Sequence, residues 1–111
     1  MRYCFEKYKE EYFKVLYEMK KDNFKWYVEK LYGWDEETQT QFQKDFIEEH
    51  RNDINVIKVD NEIIGVFTNY INENNESEIS LFYIDKKYQK QGLETEILQK
   101  QLEIDRNNNR N

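Results

Sequence analysis

Proline and alanine are both missing from this 111-residue chain, and glycine occurs only three times, at Gly33, Gly65 and Gly92. With so few permissive residues, each glycine is expected where the backbone takes an unusual conformation or approaches another segment closely. Cysteine is as scarce. Cys4 alone cannot close an internal disulfide, and its place between Tyr3 and Phe5 predicts a small buried side chain and a reducing, cytoplasmic setting. A single histidine, His50, and a single cysteine are too few for a nitrogen and sulfur zinc site, and the carboxylates lie spread along what read as solvated helix faces, so no metal is expected. No apolar run has the length of a leader or a membrane span. The net charge of -6 gives no global attraction to nucleic acid or to anionic lipid, and neither is expected as a partner.

What is present is aromatic. Apolar residues make up 38% of the chain, below the usual ~45–50%, but nine Tyr, seven Phe and two Trp supply bulky groups able to fill a core. The length suits one domain with one core. We expect it to span residues 1–106, followed by a polar, disordered tail over residues 107–111, where Asn and Arg leave nothing to bury.

The first half reads as three short helices. In residues 6–20, Tyr12, Val15, Leu16 and Met19 fall on one apolar stripe. Asp22 or Asn23 is a fitting cap for a second helix, in which Phe24, Tyr27, Val28, Leu31 and Tyr32 repeat the spacing until Gly33 ends it. Asp35 caps a third, running through Phe42 and Phe46 to His50. The second half changes period. Ile54–Val59 and Glu62–Ile71 are rich in β-branched and aromatic residues, with Asp60-Asn61 between them as the chemistry of a tight antiparallel hairpin. Residues 72–76 form a looser turn, and residues 79–84 run apolar with little alternation, as in a central strand covered on both faces. Leu93, Ile97, Leu98 and Leu102 mark a last helix, and residues 2–5 are a candidate first strand.

The stretch from residue 79 to 103 carries the chemistry. A helix N-terminus presents unpaired N–H groups and partial positive charge suited to phosphate. Gly92 stands where such a turn needs a bare backbone, and Lys86, Lys87 and Lys90 reverse the local charge of an acidic chain.

Gln89-Lys90-Gln91-Gly92-Leu93-Glu94 resembles the signature of the GNAT acetyltransferase superfamily, which reads Gln or Arg, two residues, Gly, one residue, then Gly or Ala. Residues 27–39, with Tyr32-Gly33-Trp34-Asp35, resemble the aromatic-Gly-Trp-Asp segment that closes the second helix in small bacterial members, and Glu62-Ile63-Ile64-Gly65-Val66 resembles the family's third strand. The resemblance covers residues 1 to about 103 in order. It implies an α+β fold, a mixed, mostly antiparallel sheet flanked by helices, here lacking the last strands. It also implies acetyl-CoA as the donor and CoA as a product. Phe82, Tyr83 and Ile84 would pair with the pantetheine arm, and Gln89, Lys90, Gln91, Gly92, Leu93, Glu94 and Thr95 would hold the pyrophosphate.

By the same resemblance the acceptor is a primary amine, small or peptidic, walled by Trp26, Tyr27, Tyr32 and Trp34, and Glu78 removes its proton directly or through water. Aromatic and acidic groups suit a cationic amine. His50 is expected to meet the last carbonyls of its helix, with no carboxylate partner assignable to it. Two departures bear on activity. Glu94 sits where the family has Gly or Ala, and two unit charges ~4 Å apart repel by about 1–4 kcal/mol. The family's fifth strand and the elements after it are not in the sequence, so an alternative expectation is an inactive, shortened domain that pairs through an exposed strand edge, as a swapped homodimer or with another protein.

Overall fold

The computed structural model describes residues 3–108. Strand β1 (Cys4–Lys7) leads through a 3-10 turn at Glu10–Tyr12 into helix α1 (Phe13–Tyr32), then α2 (Glu36–His50), the strands β2 (Ile54–Val59), β3 (Glu62–Ile71) and β4 (Ser77–Ile84), and helix α3 (Leu93–Asn107). The sheet runs β1-β2-β3-β4 with every described pair antiparallel. Leu16 and Met19 of α1 and Ile47 of α2 pack on one face against Ile54, Val56, Val66 and Tyr83. Leu93 and Ile97 of α3 cover the other, against Ile57, Ile64, Phe67 and Ile84. The α+β architecture expected from sequence is therefore present, as an antiparallel meander between two helical layers.

Local chemistry explains most of the boundaries. Asp60 and Asn61 both take positive φ, at 51° and 66°, as a two-residue hairpin of the right twist requires. Asp35 caps α2 by accepting from the Thr38 amide at 3.3 Å. Gly33, at φ 78°, closes α1, its N–H donating to Glu29 O at 3.2 Å.

Four expectations are corrected. The first two predicted helices are one 20-residue helix, because Asn23 turns its side-chain amide back onto Met19 O at 2.9 Å, inside the helix, rather than capping a new start, and Asp22 is likewise a mid-helix residue. Val15 falls off the buried stripe and is exposed. Cys4 is exposed too, since β1 is an outer strand with a mostly exposed burial pattern. The apolar run of β4 is the opposite edge of the sheet, bonded only to β3 among the described strands. Only its last residues, Tyr83 and Ile84, are buried, and β2 and β3 are the central strands. At the C-terminal end α3 runs to Asn107. Of the predicted tail, residues 109–111 lie outside the described residues, as does Arg2 of the predicted first strand.

Gly65 is the tightest point of the sheet. It pairs with Ile84, and a Cβ built on it would stand 2.3 Å from Tyr83 O and 3.0 Å from Ile84 Cα. Both obstacles are backbone, which cannot swing aside. Gly65→Ala is expected to destabilise the domain by roughly 1–3 kcal/mol through this overpacking, measured by urea unfolding.

On the sheet's outer margin, Glu6 accepts from Tyr12 Oη and pairs with Lys58 Nζ at 2.9 Å, contacts that hold its carboxyl down to about 2. Because the folded-state pKa is depressed, this stabilisation is complete above the ordinary value of 4.5 and is lost as pH falls from there towards 2. Glu6→Gln should therefore lower the melting temperature at neutral pH and flatten its fall over that acid window, as calorimetry would record.

Candidate functional site

Strand β4 ends where β3 holds it, and everything beyond hangs on that end. Asp85 donates its N–H to Ile64 O at 2.6 Å, and its side chain accepts from the Lys87 amide at 3.1 Å, starting a 3-10 turn at Lys86–Tyr88. Lys90 and Gly92 then both adopt positive φ, 67° and 79°, before α3 begins at Leu93. Leu93 is fully buried beside Ile84 and Ile97, which fixes the start of α3 on the sheet. The first helical bond at this end is from Glu96 N to Gly92 O at 3.0 Å, and no side chain caps the helix. The amides of Leu93, Glu94 and Thr95 are thus the orphan donors of a helix N-terminus.

The predicted loop residues divide by role. Gln89 is a strut: its side-chain amide donates to Ile84 O and to Asn23 Oδ1, both at 2.8 Å, and its N–H donates to Lys86 O. It ties the loop to β4 and to α1 and has no donor to spare. Gln91 Nε2 bonds Lys87 O at 3.0 Å. Lys87 is paired with Glu62, so of the three lysines only Lys86 and Lys90 stand exposed without a carboxylate partner among the described residues. Glu94 and Glu96 occupy the first turn of α3, where they favour the helix dipole but compete with any anion. The side chain of Leu93 is core, leaving its N–H as its contribution, and Thr95 is exposed. Phe82, Tyr83 and Ile84 present the outer edge of β4. Tyr83 is buried under α1, donating its hydroxyl to Leu16 O at 3.1 Å, and that burial pushes its phenol well above the ordinary range.

A diphosphate fits this donor set. The free amides, the two unpaired lysines and the left-handed Gly92, with nothing within 4 Å of where its Cβ would be, leave an open, donor-lined turn. Glu94 and Glu96, in the first turn of α3, oppose it.

Glu78 lies at the far end of β4, beside the β3–β4 turn. It accepts from Tyr70 Oη and from Asn72 Nδ2 at 2.8 Å, and these bonds hold its carboxyl below the ordinary range. Tyr70 in turn stacks on His50 at 5.6 Å. His50 does end α2 as expected, but carboxylates stand near it, Asp53 at 3.9 Å and Glu49 at 3.7 Å. Trp26 and Tyr27 meet edge to face at 5.8 Å on the exposed flank of α1, whereas Trp34 packs at 6.4 Å on Tyr17 where α1 meets α2. Tyr32 is 84% exposed. No ring contact among the described residues joins these two groups.

Sequence reasoning missed a cavity of ≈ 280 Å³ between α1, α2 and the sheet, lined by Leu16, Lys20, Phe46, Val66, Leu81 and Tyr83 among others. The apolar stripes that line it read as ordinary core. The only signal in the sequence was Lys20, a charge immediately beside the buried stripe residue Met19. Among the described residues no helix is long and apolar enough to cross a membrane, and no cluster of three or more His, Cys, Asp or Glu is placed to hold a metal.

Gly92 is open on its side-chain flank, so its variants separate backbone conformation from crowding. Gly92→Val should lose roughly 1–2 kcal/mol of stability, the left-handed cost of a Cβ, while Gly92→Asn should lose much less. Paired urea melts would show it, and equal losses would count against a conformational role.

Comparison with known proteins places this geometry. No curated protein is a match for the chain. Among solved structures, it is similar to a PaiA N-acetyltransferase from Thermoplasma acidophilum in complex with coenzyme A, at 17% identity and a TM-score of 0.69 over 98% of this chain and 75% of that one. It is similar to a Pyrococcus horikoshii OT3 protein at 19% identity and 0.65, over 87% and 67% respectively. A predicted acetyltransferase from Clostridium acetobutylicum, with acetyl-CoA, matches at 13% identity and 0.58, over 99% and 77%. These likenesses bear on the fold. A family model described as Acetyltransferase (GNAT) family matches residues 4–110, nearly the whole sequence, and the chain belongs to that family.

Proposed function

We propose that this domain binds acetyl-CoA and transfers its acetyl group to a primary amine. The observation that carries the reading is the succession of an open strand edge at Phe82–Ile84, a left-handed glycine and the uncapped N-terminus of α3 within a dozen residues. The two solved relatives described with coenzyme A and with acetyl-CoA support the choice of donor. The amides of residues 93–95, with Lys86 and Lys90, would hold the pyrophosphate. The outer edge of β4 would take the amide-bearing arm as a further strand takes its neighbour. Acetyl-CoA supplies the activated acyl group.

In this reading the amine nitrogen bonds to the acyl carbon as the bond to sulfur breaks, and Glu78 accepts the amine proton through water. Its bonds to Tyr70 and Asn72 keep it ionised at neutral pH and make it a weak base, so the proton passes on rather than resting there. Trp26, Tyr27, Tyr32 and Trp34 would meet an acceptor only on the outer flank of α1 and its junction with α2. A cytoplasmic setting accords with the free Cys4.

The reading is tested by calorimetry with acetyl-CoA and by thiol release with a panel of amines. Saturable binding that tightens several-fold in Glu94→Gln is expected, from the charge removed beside the pyrophosphate. Glu78→Gln should cut turnover by about 10²-fold or more while leaving the donor affinity unchanged. No binding at millimolar acetyl-CoA would refute the reading.

One observation favours a second reading, an inactive module that pairs through β4. Among the described residues that strand is unpaired on its outer side, and Ile79 on it is exposed. A monomer in light scattering, together with turnover, would eliminate it.

A further inference from the structure

The two faces of the sheet are filled unequally. Beneath α3, Leu93 and Ile97 are buried against Ile57, Ile64, Phe67 and Ile84, whereas beneath α1 and α2 lies the ≈ 280 Å³ cavity. Its walls are mainly hydrocarbon and aromatic, with exposed Phe42 among them, and Gln39 and Gln43 are the amides of the lining. Lys20 is the single charged side chain of the lining. Its ammonium has only the Gln39 carbonyl oxygen at 3.5 Å and the Tyr17 ring at 5.4 Å, and no carboxylate among the described residues pairs with it. Burial holds it below its ordinary pKa of 10.5. Two hydroxyls share the isolation. Tyr8 lines the cavity, and its buried Oη has no hydrogen-bond partner among the described residues. Thr68 is fully buried between Ile54 and Leu81 in register, both of them lining residues, and its Oγ1 is unpartnered as well.

A half-buried cation without a counter-charge and buried hydroxyls without partners are unfavourable unless an acceptor meets them. The surrounding walls favour hydrocarbon. We propose that this cavity binds an apolar monocarboxylate, its aliphatic or aromatic body against Leu16, Phe46, Val66 and Leu81 and its carboxylate on the Lys20 ammonium. A cationic head group is rejected by the same lysine. Such binding does not need the transfer reaction. Where it is joined to the proposed transfer, and there it rests on that reading, the acceptor class becomes an amino acid with an apolar side chain, since Leu81 and Tyr83 form both the cavity wall and the end of β4.

Octanoate, octylamine and octanol share a tail and differ in head group. Each is titrated into the intact chain near neutral pH without coenzyme, with NMR following the methyls of Leu16, Ile54, Val66 and Leu81. Octanoate should shift these methyls and bind about tenfold or more tightly than octylamine, the size of one charge-assisted hydrogen bond. Lys20→Met should erase that preference while leaving octanol unchanged, and Lys20→Arg should restore it. Equal affinity for octanoate and octylamine in the unmodified chain, or shifts confined to the exposed aromatics of α1, would overturn the proposal. Because no coenzyme is present, this result is separate from the outcome of the acetyl-CoA titration.

Discussion

The close approach of β3 and β4 at Gly65 is the constraint on which the rest of the site depends. With no Cβ at that position, the backbone of Tyr83 and Ile84 lies directly against β3, and Asp85 can reach Ile64 O. That contact fixes where β4 stops. Ile84 then offers its side chain to Leu93 and its carbonyl to Gln89, so the position of the helix start and the path of the loop follow from one glycine. Gln89 carries the constraint onward to Asn23 in α1, joining the two helical layers across the end of the sheet. The same Asn23 that disguises α1 as two helices is thus part of the support for the loop.

Charge acts locally in this molecule. The chain is acidic overall, and at the loop two of three lysines remain uncommitted because Glu62 takes the third. Glu94 and Glu96 stabilise α3 through its dipole at the place where an anion would be received. Helix stability and anion affinity therefore pull in opposite directions at one turn, and the net charge of the chain says nothing about which prevails there.

Features set by short-range chemistry were legible in the sequence: the Asp60-Asn61 turn, the Asp35 cap, the Gly33 stop, and the left-handed Gly92 before a helix. Apart from the expected break in α1, the order of elements followed from them. What was not legible depends on which surfaces meet. An apolar run such as residues 79–84 reads the same whether it is buried on both faces or lies at an edge, and β4 proved to be the edge. Cys4 looked buried from its aromatic neighbours, yet pairing on one side only leaves it open. The carboxylates beside His50 come from its own neighbourhood, Glu49 and Asp53, but their approach depends on the turn after α2.

The cavity is the furthest from the sequence, because a void is made of what side chains fail to fill. Sealed and empty, ≈ 280 Å³ would cost about 7 kcal/mol at ~24 cal/mol per Å³, comparable with the whole stability of a domain, ~5–15 kcal/mol. A chain of this length does not retain a sealed void of that size as a packing fault. The lining agrees with an open pocket: exposed Phe42 is part of it, and Lys20, half buried, keeps contact with solvent. Larger side chains at Val66 or Leu81 would fill the space with hydrocarbon and strand the Lys20 ammonium and the Tyr8 hydroxyl further from water. The polar groups and the hollow are therefore coupled, and removing either one alone leaves the other more costly.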